Sequence, residues 1–367
     1  MKPIRFIMLG GFLGAGKTTS MGRLAKHFQD QGLKVGLVTN DQAVDLVDTH
    51  TLREQGFKVE EVAGACFCCK FDDLVEKVGK LGAQELPDII LAEPVGSCTD
   101  LVATVVAPLK DLYGKTVSVS PYAVLFKPSH GLRILRKESS GFSPKAAYIF
   151  EKQLEEADII VINRVDEMAP GEVAEVIALV KSKFPGVPVL PVSAKTGKGM
   201  EALIEALSLE GNFGKRILDI DYDTYAEGEA ELGWMNSNMQ FSSNEEFPLD
   251  DVLLEVVGEM QKELSGQGAE VAHLKAIGLW EGFFGVANLV NSEGKPQLSL
   301  PSNARASEIS LIINARVAID PAILKDISSK VVGRIAEKRK AVATAEKTQS
   351  FRPGRPTPTH RYAAVKG

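Results

Sequence analysis

The stretch Ile4-Arg5-Phe6-Ile7-Met8-Leu9-Gly10-Gly11-Phe12-Leu13-Gly14-Ala15-Gly16-Lys17-Thr18-Thr19 decides the fold. An apolar run ends in glycines, and Gly11–Thr18 matches G-x-x-x-x-G-K-[ST] at every position. Ile4–Leu9 reads as a buried strand, and the amphipathic stretch Thr18–Gln31, closed by Gly32, reads as a helix. A glycine-rich loop between a strand and a helix lets successive backbone N–H groups converge on phosphate oxygens, aided by the positive end of the helix dipole. Gly11, Gly14, Ala15 and Gly16 are the expected cradle. Lys17 is expected on the β- and γ-phosphates and the Thr18 hydroxyl on Mg²⁺, with Thr19 completing the set.

Outward from this loop the first two hundred residues alternate short apolar runs with amphipathic stretches. The strands expected after Ile4–Leu9 are Lys34–Thr39, Lys58–Val62, Asp88–Leu91, Ser118–Phe126, Asp158–Ile162 and Val187–Val192. The further helices are Phe71–Leu81, Pro144–Ala157, Gly171–Phe184 and Gly199–Leu207. Such alternation after a phosphate loop predicts an α/β fold of the P-loop type, a mostly parallel sheet with helices on both faces, whose ligands sit at the carboxyl ends of the strands. This domain is expected over residues 1–211. An acidic, irregular linker is expected over 212–247, with Asp219, Asp221 and Asp223 in it. A smaller C-terminal α+β domain follows over 248–341, built from helix Pro248–Lys262, strands Glu270–Ile277, Phe284–Leu289 and Glu308–Val317, and helix Pro321–Lys340. Its His273 reads as a packed or half-exposed strand residue rather than a ligand. Residues 342–367 read as a basic tail, disordered or an extended arm, with prolines and arginines and no hydrophobic period from Ser350 onward.

Composition narrows the classes. Of 367 residues, 44% are apolar and 25% charged, which suits a globular chain of two domains. The net charge of -6 argues against a general nucleic-acid binder. No run approaches the roughly 20 apolar residues of a membrane helix. The opening run is too short for a signal peptide and lacks a cleavage site, so cytoplasmic residence is expected. Four cysteines do not make a disulfide scaffold in a chain of this length.

The base expected on the phosphates is guanine. Strand Asp158–Ile162 runs into Asn163-Arg164-Val165-Asp166, and a carboxylate at Asp166 can accept from guanine's ring N–H and exocyclic amine, an arrangement adenine does not offer. Asn163 would shape the pocket, and a backbone N–H of Ser193-Ala194-Lys195 would meet guanine's carbonyl oxygen. Base-reading motifs of GTPases usually carry lysine where Arg164 stands, but arginine can lay its stem and planar head along the purine. Cys66, Cys68 and Cys69 crowd into four positions after strand Lys58–Val62. Thiolates suit Zn²⁺ or another thiophilic metal, and Cys98 is a candidate fourth ligand. Cys68 and Cys69 can share an ion only if the chain turns, which Gly64 allows; inert buried cysteines and a redox pair are the alternatives.

Taken together, Gly10–Thr19, Gly64-Ala65-Cys66-Phe67-Cys68-Cys69, Glu93-Pro94-Val95-Gly96 and Asn163-Arg164-Val165-Asp166 resemble the CobW-type GTPases implicated in metal trafficking. Relatives of those proteins are the urease and hydrogenase accessory GTPases and the chaperone of methylmalonyl-CoA mutase. The likeness covers the first domain by motif order, and in the second only the order of helix and strands is similar. It implies that Glu93 ends the strand of the second switch and that Gly96 senses the γ-phosphate. A carboxylate at that strand end also suits holding Mg²⁺ or orienting the attacking water, with Lys17 and Asp41 in the same catalytic group. Asp41, and Asp45 beyond it, are the other candidates for the Mg²⁺ shell, Asp45 reading equally as a helix-start residue. The resemblance implies a GTP-hydrolysing metallochaperone with a client metalloprotein, and a homodimer meeting across the nucleotide. Two rival readings stay open: a GTP-gated chaperone loading cobalamin or another cofactor into a client enzyme, and a regulatory adaptor that binds GTP with negligible hydrolysis.

Overall fold

The computed structural model describes residues 3–41, 49, 52, 53, 55–81, 86–138 and 141–364. They fall into two compact units, Met1–Ala226 with Arg355–Gly367, and Glu227–Gly354. In chain order the first unit carries β1 (Ile4–Gly11), α1 (Lys17–Asp30), β2 (Val35–Asp41), β3 (Val59–Ala63), α2 (Phe71–Leu81) and β4 (Ile89–Glu93). A π-turn at Val102–Val106 leads into α3 (Ala107–Tyr113), followed by β5 (Val117–Val119), β6 (Ala123–Phe126), α4 (Pro128–Leu135), α5 (Pro144–Glu155) and β7 (Ile159–Ile162). Then come α6 (Pro170–Lys183), β8 (Val189–Pro191), α7 (Met200–Leu207) and α8 (Tyr222–Ala230), the last crossing into the second unit.

β1 is apolar along its length because both its faces are covered. Ile7 and Leu9 share a core with Met21, Leu24, Ala25 and Phe28 of α1 and with Leu203 and Leu207 of α7. Phe6 and Met8 are buried on the opposite face. The strand order is β3-β2-β4-β1-β6-β7-β8, with β5 also on β1, and every pair is parallel. The carboxyl ends of the strands therefore share one edge. The chain leaves β1 toward β2 on one side while β6 lies on the other, which opens a crevice beyond the end of β1.

One expected strand is two. Ser118–Phe126 divides into β5, paired with Ile4–Phe6, and β6, paired with Leu9–Gly11. Between them stands Pro121, which has no N–H for the ladder. Tyr122 N–H donates to Asp158 Oδ2 at 2.9 Å instead.

The second unit is an antiparallel sheet, β12-β11-β10-β13-β9-β14, with two helices. Its elements are β9 (Gly233–Pro248), α9 (Leu249–Gly266), β10 (Val271–Trp280), β11 (Phe283–Leu289), β12 (Gln297–Leu300), β13 (Arg305–Val317), α10 (Pro321–Lys338) and β14 (Ala341–Phe351). Val252, Val256 and Met260 of α9 and Leu324, Val331 and Ile335 of α10 pack on Ile309, Leu311, Ile313 and Ala315 of β13. Residues 212–247, expected as an irregular linker, hold α8 and most of the 16-residue β9. In β9, Met235, Met239 and Phe241 alternate into the core, with Asn236, Asn238 and Gln240 between them. The tail, expected to be disordered or an extended arm, begins as the regular strand β14, held on β9 by backbone pairing from Ala341 to Phe351. No helix among the described residues is long and apolar enough to cross a membrane.

Candidate functional site

The loop after β1 curls because Gly11, Gly14 and Gly16 all take left-handed φ angles. Lys17, 7% exposed, donates to Gly11 O at 2.9 Å, folding its ammonium back over the loop. Thr18 Oγ1 donates to Glu93 Oε1 at 3.1 Å, so the end of β4 meets the start of α1. Two hard oxygen donors at this spacing fit neighbouring positions on an octahedral Mg²⁺, whose oxygens at about 2.1 Å stand about 3.0 Å apart. Thr19 is exposed beside them. Asp41 ends β2, and its side chain, like all of Asp45, lies outside the described residues. Gly96 lies against the loop: a Cβ there would stand 2.8 Å from Leu13 Cδ2 and 3.1 Å from Leu13 Cα.

Across the crevice, Asn163 is buried and ties two loops to the first. Its Nδ2 donates to Ala15 O at 2.7 Å and its Oδ1 accepts from Ala194 N–H at 2.9 Å. Asp166 is exposed in the short turn Val165–Glu167. Arg164 pairs with Glu167 at 2.8 Å. Ser193 is buried, its hydroxyl accepting from Thr196 N–H at 3.0 Å, while Lys195 is exposed. Arg23 of α1 donates to the carbonyls of Ala194 and Lys195, which holds this loop over the helix.

The thiols gather because the chain turns sharply after β3. Gly64 takes φ 84°, and the N–H groups of Cys69 and Lys70 both donate to Cys66 O at 3.0 Å. The sulfurs of Cys66 and Cys68 are 3.1 Å apart, those of Cys66 and Cys69 3.4 Å, and those of Cys68 and Cys69 3.7 Å. A tetrahedral zinc with bonds of about 2.3 Å separates its sulfurs by about 3.8 Å, so a small expansion fits the cluster to the ion. Cys98 contacts Cys66 and lies outside the mutual 4.8 Å group of Cys66, Cys68 and Cys69. Hydrogen bonding with Cys68, then with Cys69 and Cys98, holds the Cys66 thiol well below its usual range. The same bond pushes Cys68 up, and the bond with Cys66 carries Cys69 to about 11. Charge is thus favoured on Cys66, and its neighbours hold their protons more tightly than free thiols do.

A family model described as "CobW/HypB/UreG, nucleotide-binding domain" matches residues 5–191, half of the chain. The chain belongs to the CobW/HypB/UreG family. Within this family it is 33% identical over 171 residues to the zinc chaperone YeiR of Escherichia coli, covering 44% of this chain and 47% of that one. It therefore matches only about half the length of that relative. It is 26% identical over 258 residues to the zinc chaperone CobW of Sinorhizobium sp., covering 64% of this chain and 70% of that one. With the urease accessory protein UreG of Metallosphaera sedula it shares 25% identity over 227 residues, 56% of this chain and 96% of that one.

Several residues that shape this CobW/HypB/UreG site escaped sequence reasoning. Asn40 donates to Val62 O at 2.8 Å and Ala65 O at 2.7 Å and accepts from Phe67 N–H at 2.8 Å, so it braces the thiol turn. Gln153 of α5 donates to Gly96 O at 3.0 Å and to Cys98 O at 2.9 Å, clamping the segment between phosphate loop and thiols. Lys127, fully buried at the end of β6, donates to Leu13 O at 3.1 Å. A lone polar side chain carries no motif, and only the parallel topology reveals what it reaches.

Proposed function

We propose that this protein is a GTP-hydrolysing metallochaperone in which the nucleotide's state sets the affinity of the thiol cluster for a zinc-like ion destined for a client metalloprotein. Gly11–Thr18 would cradle the triphosphate, with Lys17 leaving Gly11 O for the β- and γ-oxygens. Thr18 and Glu93 would hold Mg²⁺, which when bound neutralises the developing phosphate charge. Asp166 would select guanine and Asn163 would keep the base loops in register with the phosphate loop. Relatives named as zinc chaperones favour zinc as cargo.

The observation that carries the reading is the course of Glu93–Cys98. Within six residues this buried segment meets Thr18 at one end and Cys66 at the other, with Gly96 against Leu13 between them. A shift of the segment toward a γ-phosphate would move Cys98 against the cluster. Thermodynamic linkage then requires GTP to change zinc affinity by the factor that zinc changes GTP affinity, typically about 1–3 kcal/mol of coupling. Competitive zinc titrations with a non-hydrolysable GTP analogue, with GDP and without nucleotide test it, as does a triple Cys66→Ser, Cys68→Ser, Cys69→Ser variant that still binds GTP. Equal zinc affinity in all three states refutes the mechanism.

A further inference from the structure

Residues 355–364 return to the unit that holds the thiols and run across them. In the sequence Arg355-Pro356-Thr357-Pro358-Thr359, two residues lack an N–H, and the amides of both threonines point to the cysteine turn. Thr357 N–H donates to Cys69 Sγ at 3.3 Å, and Thr359 N–H donates to Cys68 O at 2.8 Å. The Thr359 hydroxyl adds a bond to Cys69 O at 3.2 Å. His360 stacks edge-on against Phe71, with ring centres 5.1 Å apart, and Tyr362 N–H donates to Ala103 O at 3.0 Å. Two ion pairs fasten the run, Arg355 to Asp223 at 2.9 Å and Arg361 to Asp100 at 2.7 Å.

These fastenings differ in strength. Asp223 is exposed, and its pair is a surface contact of small worth. The Asp100 side chain is 1% exposed and its Oδ2 takes both Arg361 and the Tyr222 hydroxyl, each at 2.7 Å. Asp100 also holds a left-handed φ of 62°, rare for a residue with a side chain, so its carboxylate is presented by a fixed backbone. It stands two residues beyond Cys98, on the same buried run as Glu93 and Gly96.

We propose that residues 355–362 are a strap over the thiol cluster, latched by Arg361 on Asp100, which must lift before a metal ion enters or leaves. The strap rests on the reading of the cluster as a metal carrier and adds its gate. Cys66 and Cys68 are buried and Cys69 is half-buried beneath Thr357, so an ion has no open approach from the side the strap covers. The two prolines keep the strap extended in its free state and reduce the entropy lost when it closes. Because the latch sits on the segment that also touches the phosphate loop, the nucleotide could reach the gate through the chain already described.

The test uses the full chain, an Arg361→Ala variant and a chain stopped after Gly354. Two rates are read: carbamidomethylation of the cluster thiols by iodoacetamide in metal-free protein, and zinc transfer from loaded protein to a chromophoric chelator. Opening limits both, so both rates should rise about tenfold or more in the shortened chain and by a smaller factor in Arg361→Ala, with GTP still bound by both proteins. Arg361→Lys should recover part of the protection. Wild-type rates in both altered proteins overturn the strap, and Arg361→Ala decides alone if the shortened chain does not fold. Faster labelling in a protein that takes up no zinc supports the cover and refutes the metal reading beneath it.

Discussion

Replacing Gly96 by alanine adds a methyl carbon 2.8 Å from Leu13 Cδ2 and 3.1 Å from Leu13 Cα. Carbon atoms in good contact stand about 3.5–4.0 Å apart, so the overlap is several tenths of an ångström. The leucine tip can rotate aside, but its Cα is part of the phosphate loop and can yield only if the loop moves. Overpacking of this kind costs about 1–3 kcal/mol. If the nucleotide requires the undisturbed loop, that cost appears in binding as a loss of about 5- to 150-fold in GTP affinity. Gly333→Ala is the matched control: nothing lies within 4 Å of the new carbon, and the site is an exposed turn of α10. There the change should stabilise by about 0.5–1 kcal/mol through helix propensity. Calorimetric GTP titration with thermal unfolding of both variants measures the two signs. Unchanged GTP affinity and unchanged melting in Gly96→Ala would refute the contact between this segment and the loop.

Two further outcomes are expected. Asp166→Asn should lower GTP affinity and favour xanthosine triphosphate, since the amide can donate to xanthine's extra carbonyl; wild-type protein that binds ATP as tightly as GTP would remove the basis for it. For pH, the Cys66 thiol is held well below its usual range, while Cys68 is raised and Cys69 lies at about 11. Zinc must then displace the protons that Cys68 and Cys69 hold, so affinity should fall about 100-fold per unit as pH drops below about 11 wherever Cys66 alone is ionised. Zinc titrations across pH 7 to 9 read this slope, and a thousandfold change per unit contradicts the shared-thiolate picture.

The parts of the site legible in the sequence are those made by neighbours in the chain. Gly11–Thr18 and Cys66–Cys69 each build their geometry within a few residues, so spacing alone conveys it. Asn40, Gln153 and Lys127 act across the sheet edge, and no local pattern marks them. The fold shows the same division. Apolar strands of the parallel sheet stand out because both their faces are buried. β9 was hidden by the asparagines and serines between its core residues, and β14 by its exposure, since an edge strand is held by backbone pairing rather than by apolar alternation. The single strand read at Ser118–Phe126 came from hydropathy, which does not register the missing N–H of Pro121.

The bond from Thr357 to Cys69 joins residues 288 positions apart, whereas the three thiols lie within four. Cluster and cover therefore assemble on different clocks. The turn that gathers the sulfurs closes locally, within microseconds once its strands pair. Its cover must wait for nearly three hundred further residues, about 15–60 s at ordinary translation speeds. During synthesis the chain passes through an interval in which a complete thiol triad has no lid. That interval suits capture of an ion before closure, and it is also when a stray oxidant would most readily reach the sulfurs.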